Sequence, residues 1–122
     1  MNREIKFRAW DKTFKKMISW NEFLQTNMAN TFISPKSTGL TLMQYTGLKD
    51  KNGVEIYEGD IVAIQFDLTS IKSKVLWLQE ISGFIVEDVS ILDNNLAQRI
   101  VVIGNVWENG DLLNDSKKAK ED

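Results

Sequence analysis

Leu42-Met43-Gln44-Tyr45-Thr46-Gly47-Leu48-Lys49 runs into Asp50-Lys51-Asn52-Gly53 and emerges as Val54-Glu55-Ile56-Tyr57-Glu58-Gly59-Asp60. An Asn-Gly step between two β-prone segments is a strong hairpin signal, because both residues tolerate positive φ. Glu58-Gly59-Asp60 forms a second tight turn, and Ile61-Val62-Ala63-Ile64-Gln65-Phe66 leaves it as a strand. An Xaa-Gly-Asp turn feeding a β-branched strand suits the corner of a small barrel, where glycine permits the bend.

Working outward, Ile5-Lys6-Phe7-Arg8-Ala9-Trp10 alternates with period two and reads as a half-buried strand. A polar turn over 11–16 leads to a returning strand, Met17-Ile18-Ser19-Trp20, which completes an N-terminal hairpin. Residues 21–40 are open between a loop and a short helix starting at Asn21 as cap. Ser34-Pro35-Lys36 reads as an exposed connection. Further strands are expected at 74–79, 83–87 and 99–107. The last holds four consecutive aliphatic residues, Ile100 to Ile103, and reads as a central strand covered on both faces. Residues 109–113 suit one helical turn capped by Asn109. The expected class is an all-β or β-rich domain over 1–115, a small open barrel of about seven short strands. One short helical segment lies between 20 and 32, and a disordered charged tail follows over 116–122.

At 122 residues with 43% hydrophobic and 26% charged content, the chain has material for one core. No apolar run approaches the roughly 20 residues that span a bilayer. The first residues, Met-Asn-Arg-Glu-Ile-Lys-Phe, have no apolar stretch of the signal-peptide kind, so a cytosolic location is expected and no membrane. Cysteine and histidine are both absent. That closes disulfides, thiolate chemistry and serine–histidine or cysteine–histidine catalysis. Carboxylate or lysine chemistry and oxygen-ligated cations remain, and no cofactor is expected.

Three segments of the chain carry a likeness to a known family. They are Lys6-Phe7-Arg8-Ala9-Trp10-Asp11 with Lys15-Lys16-Met17, the stretch from Met43 to Gly53 followed by that from Ile56 to Val62, and Val102-Ile103-Gly104-Asn105-Val106-Trp107-Glu108-Asn109 with Leu112-Leu113. In this order they resemble the YopX family of phage and prophage proteins. The resemblance implies a largely β fold, a phage or prophage origin and self-association. It transfers no catalytic or binding residue.

Asp50-Lys51-Asn52-Gly53 resembles the opening of a calcium loop, but the twelfth position, where a bidentate Glu is required, is Ile61. The hairpin turn is the better reading. Glu55, Glu58 and Asp60 lie close enough for paired-carboxylate chemistry. However, Glu58 and Asp60 flank a turn glycine, where acidic side chains bind nearby backbone N–H groups. No metal site is assigned.

The best candidate for binding is the N-terminal hairpin. Residues 1–20 hold six basic residues against Glu4 and Asp11, whereas 21–115 hold six basic against thirteen acidic. Arg3, Lys6, Arg8, Trp10, Lys12, Lys15 and Lys16 interleave cations with an aromatic ring, which suits single-stranded nucleic acid. The competing reading is a sheet decorated by lysines, with Trp10 packed in the core. Trp10, Trp20, Trp77 and Trp107 fit core or subunit-interface positions better than a ligand site. The leading expectation is a non-enzymatic homo-oligomeric module that binds a host or phage protein. Nucleic acid is the second reading, and a carboxylate or lysine enzyme the third.

Overall fold

The computed structural model describes residues 4–25 and 39–113. Arg3, the Pro35 connection and the tail over 116–122 lie outside the described residues. The chain divides into two compact units, Met1–Tyr45 and Thr46–Asp122.

In the first unit, β1 (Phe7–Asp11) lies between β2 (Lys16–Ile18) and β3 (Leu40–Lys49), antiparallel to both. Ala9 stands opposite Ile18 on one side and Leu42 on the other, so all three share a face. Phe23 and Leu40 complete this small core, with Trp20 packed against it. Phe23 comes from α1 (Trp20–Leu24). The helix starts two residues earlier than expected from Asn21, because Ser19 is the cap. Its hydroxyl accepts from the Glu22 N–H at 3.2 Å while the Glu22 carboxylate accepts from the Ser19 N–H at 3.4 Å. Asn21 therefore falls inside the helix, since this reciprocal box outcompetes a single side-chain cap.

The Ser19 N–H, and then Lys16 beside it, hold the Glu22 carboxyl below its ordinary pKa. A depressed folded-state pKa means that the cap's contribution is present above the ordinary carboxylate pKa. It is lost as pH falls through the lowered value. Lys16→Met is expected to raise the Glu22 titration midpoint part of the way toward its ordinary value, read by carboxyl-carbon NMR, with the Ser19 N–H keeping the rest of the shift. An unchanged midpoint would assign the shift to the Ser19 cap alone.

β3 continues into the second unit, where it flanks β4 (Glu55–Tyr57). That unit also holds β5 (Asp60–Phe66), β6 (Thr69–Leu78), β7 (Gly83–Val86), β8 (Ser90–Ile91), α2 (Asn94–Ala97) and β9 (Ile100–Asn105). The order β8-β7-β6-β5-β9 makes a five-stranded antiparallel sheet. Register places Val62 beside Val102, Ile64 beside Ile100 and Val75 beside Val86. These residues, with Ile56, Leu92, Leu96 and Ala97, form the larger core. Leu96 and Ala97 are delivered by α2, whose cap is Asp93, accepting from the Leu96 N–H at 2.8 Å.

The expected β-rich class is what forms, with a curled half-barrel sheet. The described residues contain nine strands, two more than expected. β6 begins at Thr69, five residues early, because the two-residue turn at Asp67 and Leu68 pairs Phe66 directly with Thr69. The aliphatic strand β9 is at the sheet edge and not at its centre. A bulge between Ile61 and Val62 skips Ile103, which is left 36% exposed. On its free side β9 is met by a turn: the Lys51 N–H donates to Ile100 O, and the Val102 N–H donates to the Asp50 carboxylate.

Candidate functional site

The basic hairpin is closed by Asp11, whose Oδ1 accepts from the Thr13 N–H at 2.9 Å and the Phe14 N–H at 3.2 Å. This side-chain turn, with Lys15 in left-handed conformation at φ 51°, brings Lys16 back opposite Asp11. The result is a tip on which Lys12, Lys15 and Lys16 are exposed around Phe14, itself 78% exposed. Lys16 also reaches Glu22 at 3.3 Å, so its charge is shared with α1.

The flank of the hairpin behaves differently. Lys6, Arg8 and Trp10 do share the face of β1 opposite Phe7 and Ala9, but β3 lines that face with Met43 and Tyr45, both buried. Trp10 is only 8% exposed. Lys6 sits 5.0 Å over the Tyr45 ring and 3.4 Å from Glu4, and Arg8 is half-buried. The structure therefore groups Lys12, Lys15 and Lys16 at the tip and sets Lys6, Arg8 and Trp10 apart in the packed sheet. A continuous stripe of stacked ring and cations is not formed. What the tip offers is three ammonium groups around one phenyl ring, that of Phe14, a residue outside the set expected from the sequence. Its signal was available: an aromatic residue within a polar turn has no strand face to bury it.

Asp50 and Asp60 of the long middle motif hold backbone. Asp50 is 2% exposed; its Oδ1 accepts from the Asn52 and Val54 N–H groups at 2.8 and 2.9 Å, and its Oδ2 from Val102 N–H at 2.9 Å. Asp60, equally buried, accepts from the Tyr57 N–H at 2.7 Å. Thr46 Oγ1 donates to Ile56 O at 2.8 Å and accepts from the Leu48 N–H. Among the described residues no three of His, Cys, Asp and Glu are grouped as metal ligands would be.

The C-terminal motif is likewise a knot. Asn105 Oδ1 accepts from the Trp107 and Glu108 N–H groups, while Asn109 Oδ1 accepts from the Asn105 N–H at 3.1 Å. Asn109 thus turns its side chain back to β9. The helical turn after it is held by main-chain bonds, Leu112 N–H to Asn109 O among them.

A second surface feature lies at the end of the β6–β7 hairpin. Trp77 stands opposite Phe84, with ring centroids 5.1 Å apart at 72°, an edge-to-face contact. Trp77 is nonetheless 44% exposed, and Ile81, in the single 3-10 turn Gln79–Ile81, is 43% exposed. Trp107 is 37% exposed, whereas Trp20 stacks on Phe23 inside the first unit. The tryptophans therefore divide, with Trp10 and Trp20 packed and Trp77 and Trp107 presented outward.

These features define a small strand-rich protein whose turns are tied by buried acidic and half-buried amide side chains, with an apolar hairpin end and a basic tip on its surface. The YopX family model, described as YopX protein, matches residues 6–114. The chain belongs to the YopX family. Its fold is similar to the crystal structure of protein EF1440 from Enterococcus faecalis, with TM-score 0.68 and 26% sequence identity over 92% of this chain and 99% of that one. No curated protein matches. No helix among the described residues is long and apolar enough to cross a membrane.

Proposed function

We propose that this YopX-family protein is a non-enzymatic, phage- or prophage-encoded accessory module that self-associates in the bacterial cytosol and binds a host or phage protein. The observation that supports this reading is the β6–β7 hairpin end, where half-exposed Trp77 stands against Phe84 and Ile81 is exposed in the turn. Large aromatic side chains at such positions carry much of the energy of protein interfaces. Truncating one typically costs a hot-spot interface roughly 30-fold in affinity. Light scattering after size exclusion is expected to give an oligomer for the native chain and a monomer–oligomer mixture for Trp77→Ser at the same concentration. An unchanged mass for Trp77→Ser would remove this surface from the assembly. A monomeric native chain at all concentrations would refute self-association.

A second reading rests on the basic tip, where Phe14 stands among Lys12, Lys15 and Lys16. It assigns weak single-stranded nucleic-acid binding to the hairpin. Affinity for oligothymidine would then fall steeply with salt and vanish in Lys12→Glu/Lys15→Glu. Binding that survives both changes would argue against this use of the tip.

A further inference from the structure

The chain contains two Asn-Gly steps, Asn52-Gly53 and Asn109-Gly110, and the fold treats them oppositely. We propose that Asn52 is a site of spontaneous deamidation and isomerisation in the folded protein, and that Asn109 is protected from the same chemistry.

The reaction requires the amide nitrogen of the following residue to reach the asparagine side-chain carbonyl carbon. A following glycine favours it, because no side chain hinders the approach and the backbone is free to swing. At the first step Lys51, Asn52, Gly53 and Val54 are all exposed. A Cβ built on Gly53 would meet nothing within 4 Å, so no packed neighbour hinders movement of this glycine. The hydrogen bonds of this turn engage main-chain atoms of Asn52 and Gly53, through Asp50, and leave the Asn52 amide side chain free to rotate. The Gly53 N–H is bonded to Asp50 O at 3.0 Å, which slows attack relative to an unfolded chain without blocking it.

At the second step the side chain is held. Asn109 Oδ1 accepts from the Asn105 N–H, and its Cγ and Oδ1 lie so close over Gly104 that a Cβ there would be 2.7 and 2.5 Å away. The glycine that follows is also crowded, since a Cβ on Gly110 would stand 3.1 Å from Val106 O. Rotating the Asn109 amide toward Gly110 must first break this packing.

In the step itself the Gly53 nitrogen forms a bond to Asn52 Cγ, and the Cγ–Nδ2 bond breaks. Nδ2 leaves as ammonia, taking up the proton that the Gly53 nitrogen gives up, and a five-membered succinimide remains. Water then opens the ring. Cleavage of the new N–Cγ bond leaves an aspartyl group at position 52. Cleavage of the original peptide bond leaves an isoaspartyl link, with one more methylene in the main chain. Either product puts a new carboxylate beside buried Asp50. The isoaspartyl form also adds a backbone atom between the two amides, of Asn52 and Val54, that Asp50 Oδ1 holds together. The turn that secures the free side of β9 is therefore the part of the fold that ages.

The test is to incubate the full chain in mildly alkaline buffer, with and without denaturing urea, and follow both steps by peptide mass spectrometry that separates isoaspartyl products. In native buffer Asn52 is expected to convert about tenfold faster than Asn109 or more, the ratio that one retained hydrogen bond supplies. In urea the two rates are expected to converge. Asn52→Gln, whose ring closure would need six members, is expected to keep its melting temperature on ageing while the native chain loses it. Equal native rates, faster conversion at Asn109, or an Asn52 that stays intact while the urea sample converts would each overturn the proposal.

Discussion

Asp50→Ala is expected to lower the unfolding free energy by roughly 3–4 kcal/mol, counting about 1 kcal/mol or slightly more for each charge-assisted bond lost. Three backbone N–H groups end on this one carboxylate, from Asn52, Val54 and Val102. The first two lie in an exposed turn and can recruit water. Val102 N–H lies on the half-buried edge of β9, where replacement by water is poorer. Against a usual total of about 5–15 kcal/mol, such a loss is a large fraction of stability. Asp50→Asn keeps the size but turns an NH2 group toward an N–H donor, so it is expected to recover less than half of the loss. Urea unfolding reads both variants as a fall in midpoint with little change in slope. A change below about 1 kcal/mol for Asp50→Ala would mean that the carboxylate only decorates the turn.

The second large effect is expected at Gly104. A Cβ at this position would lie 2.5, 2.7 and 2.8 Å from Asn109 Oδ1, Cγ and Cβ. Gly104→Ala must therefore expel the Asn109 side chain from its bond to Asn105 N–H, at a cost of roughly 2–3 kcal/mol from overpacking and the lost acceptor. Asn109→Gly removes the obstructing atoms, so Gly104→Ala in that background is expected to cost much less than in the native chain. Such non-additivity identifies direct contact. Additive costs for the two changes would place the strain elsewhere.

Both predictions fall on family-motif residues, and they show what could be read in the sequence. The Asn-Gly hairpin and the Gly-Asp corner were legible because turn chemistry is local: Gly53 and Gly59 take positive φ, and Asp60 binds the Tyr57 N–H three residues back. The edge position of β9 was not legible. An aliphatic run reports burial but not what covers it, and Asp50 and Lys51 serve the free side of this strand as a neighbouring strand would. The first half of β6 was missed because Thr69-Ser70-Ile71-Lys72-Ser73 has too few apolar residues to show a period; its pairing is fixed by β5.

For the candidate site, residue types were legible and placement was not. Alternation put Lys6, Arg8 and Trp10 on one face correctly, but only the register with β3 reveals that Met43 and Tyr45 line that face. The exposure of Trp77 was equally hidden, since its strand position matches that of buried Val75 two residues earlier. It is solvent access at the hairpin end, beside the 3-10 turn, that separates them.

Protein binding through the hairpin end is tested most directly by a pull-down of the tagged full chain from bacterial lysate, with and without nuclease, alongside Trp77→Ser. Discrete protein bands are expected that persist after nuclease and moderate salt and are depleted in Trp77→Ser. Bands that vanish with nuclease, with nucleic acid in the untreated eluate and no effect of Trp77→Ser, would contradict it and assign binding to the basic tip.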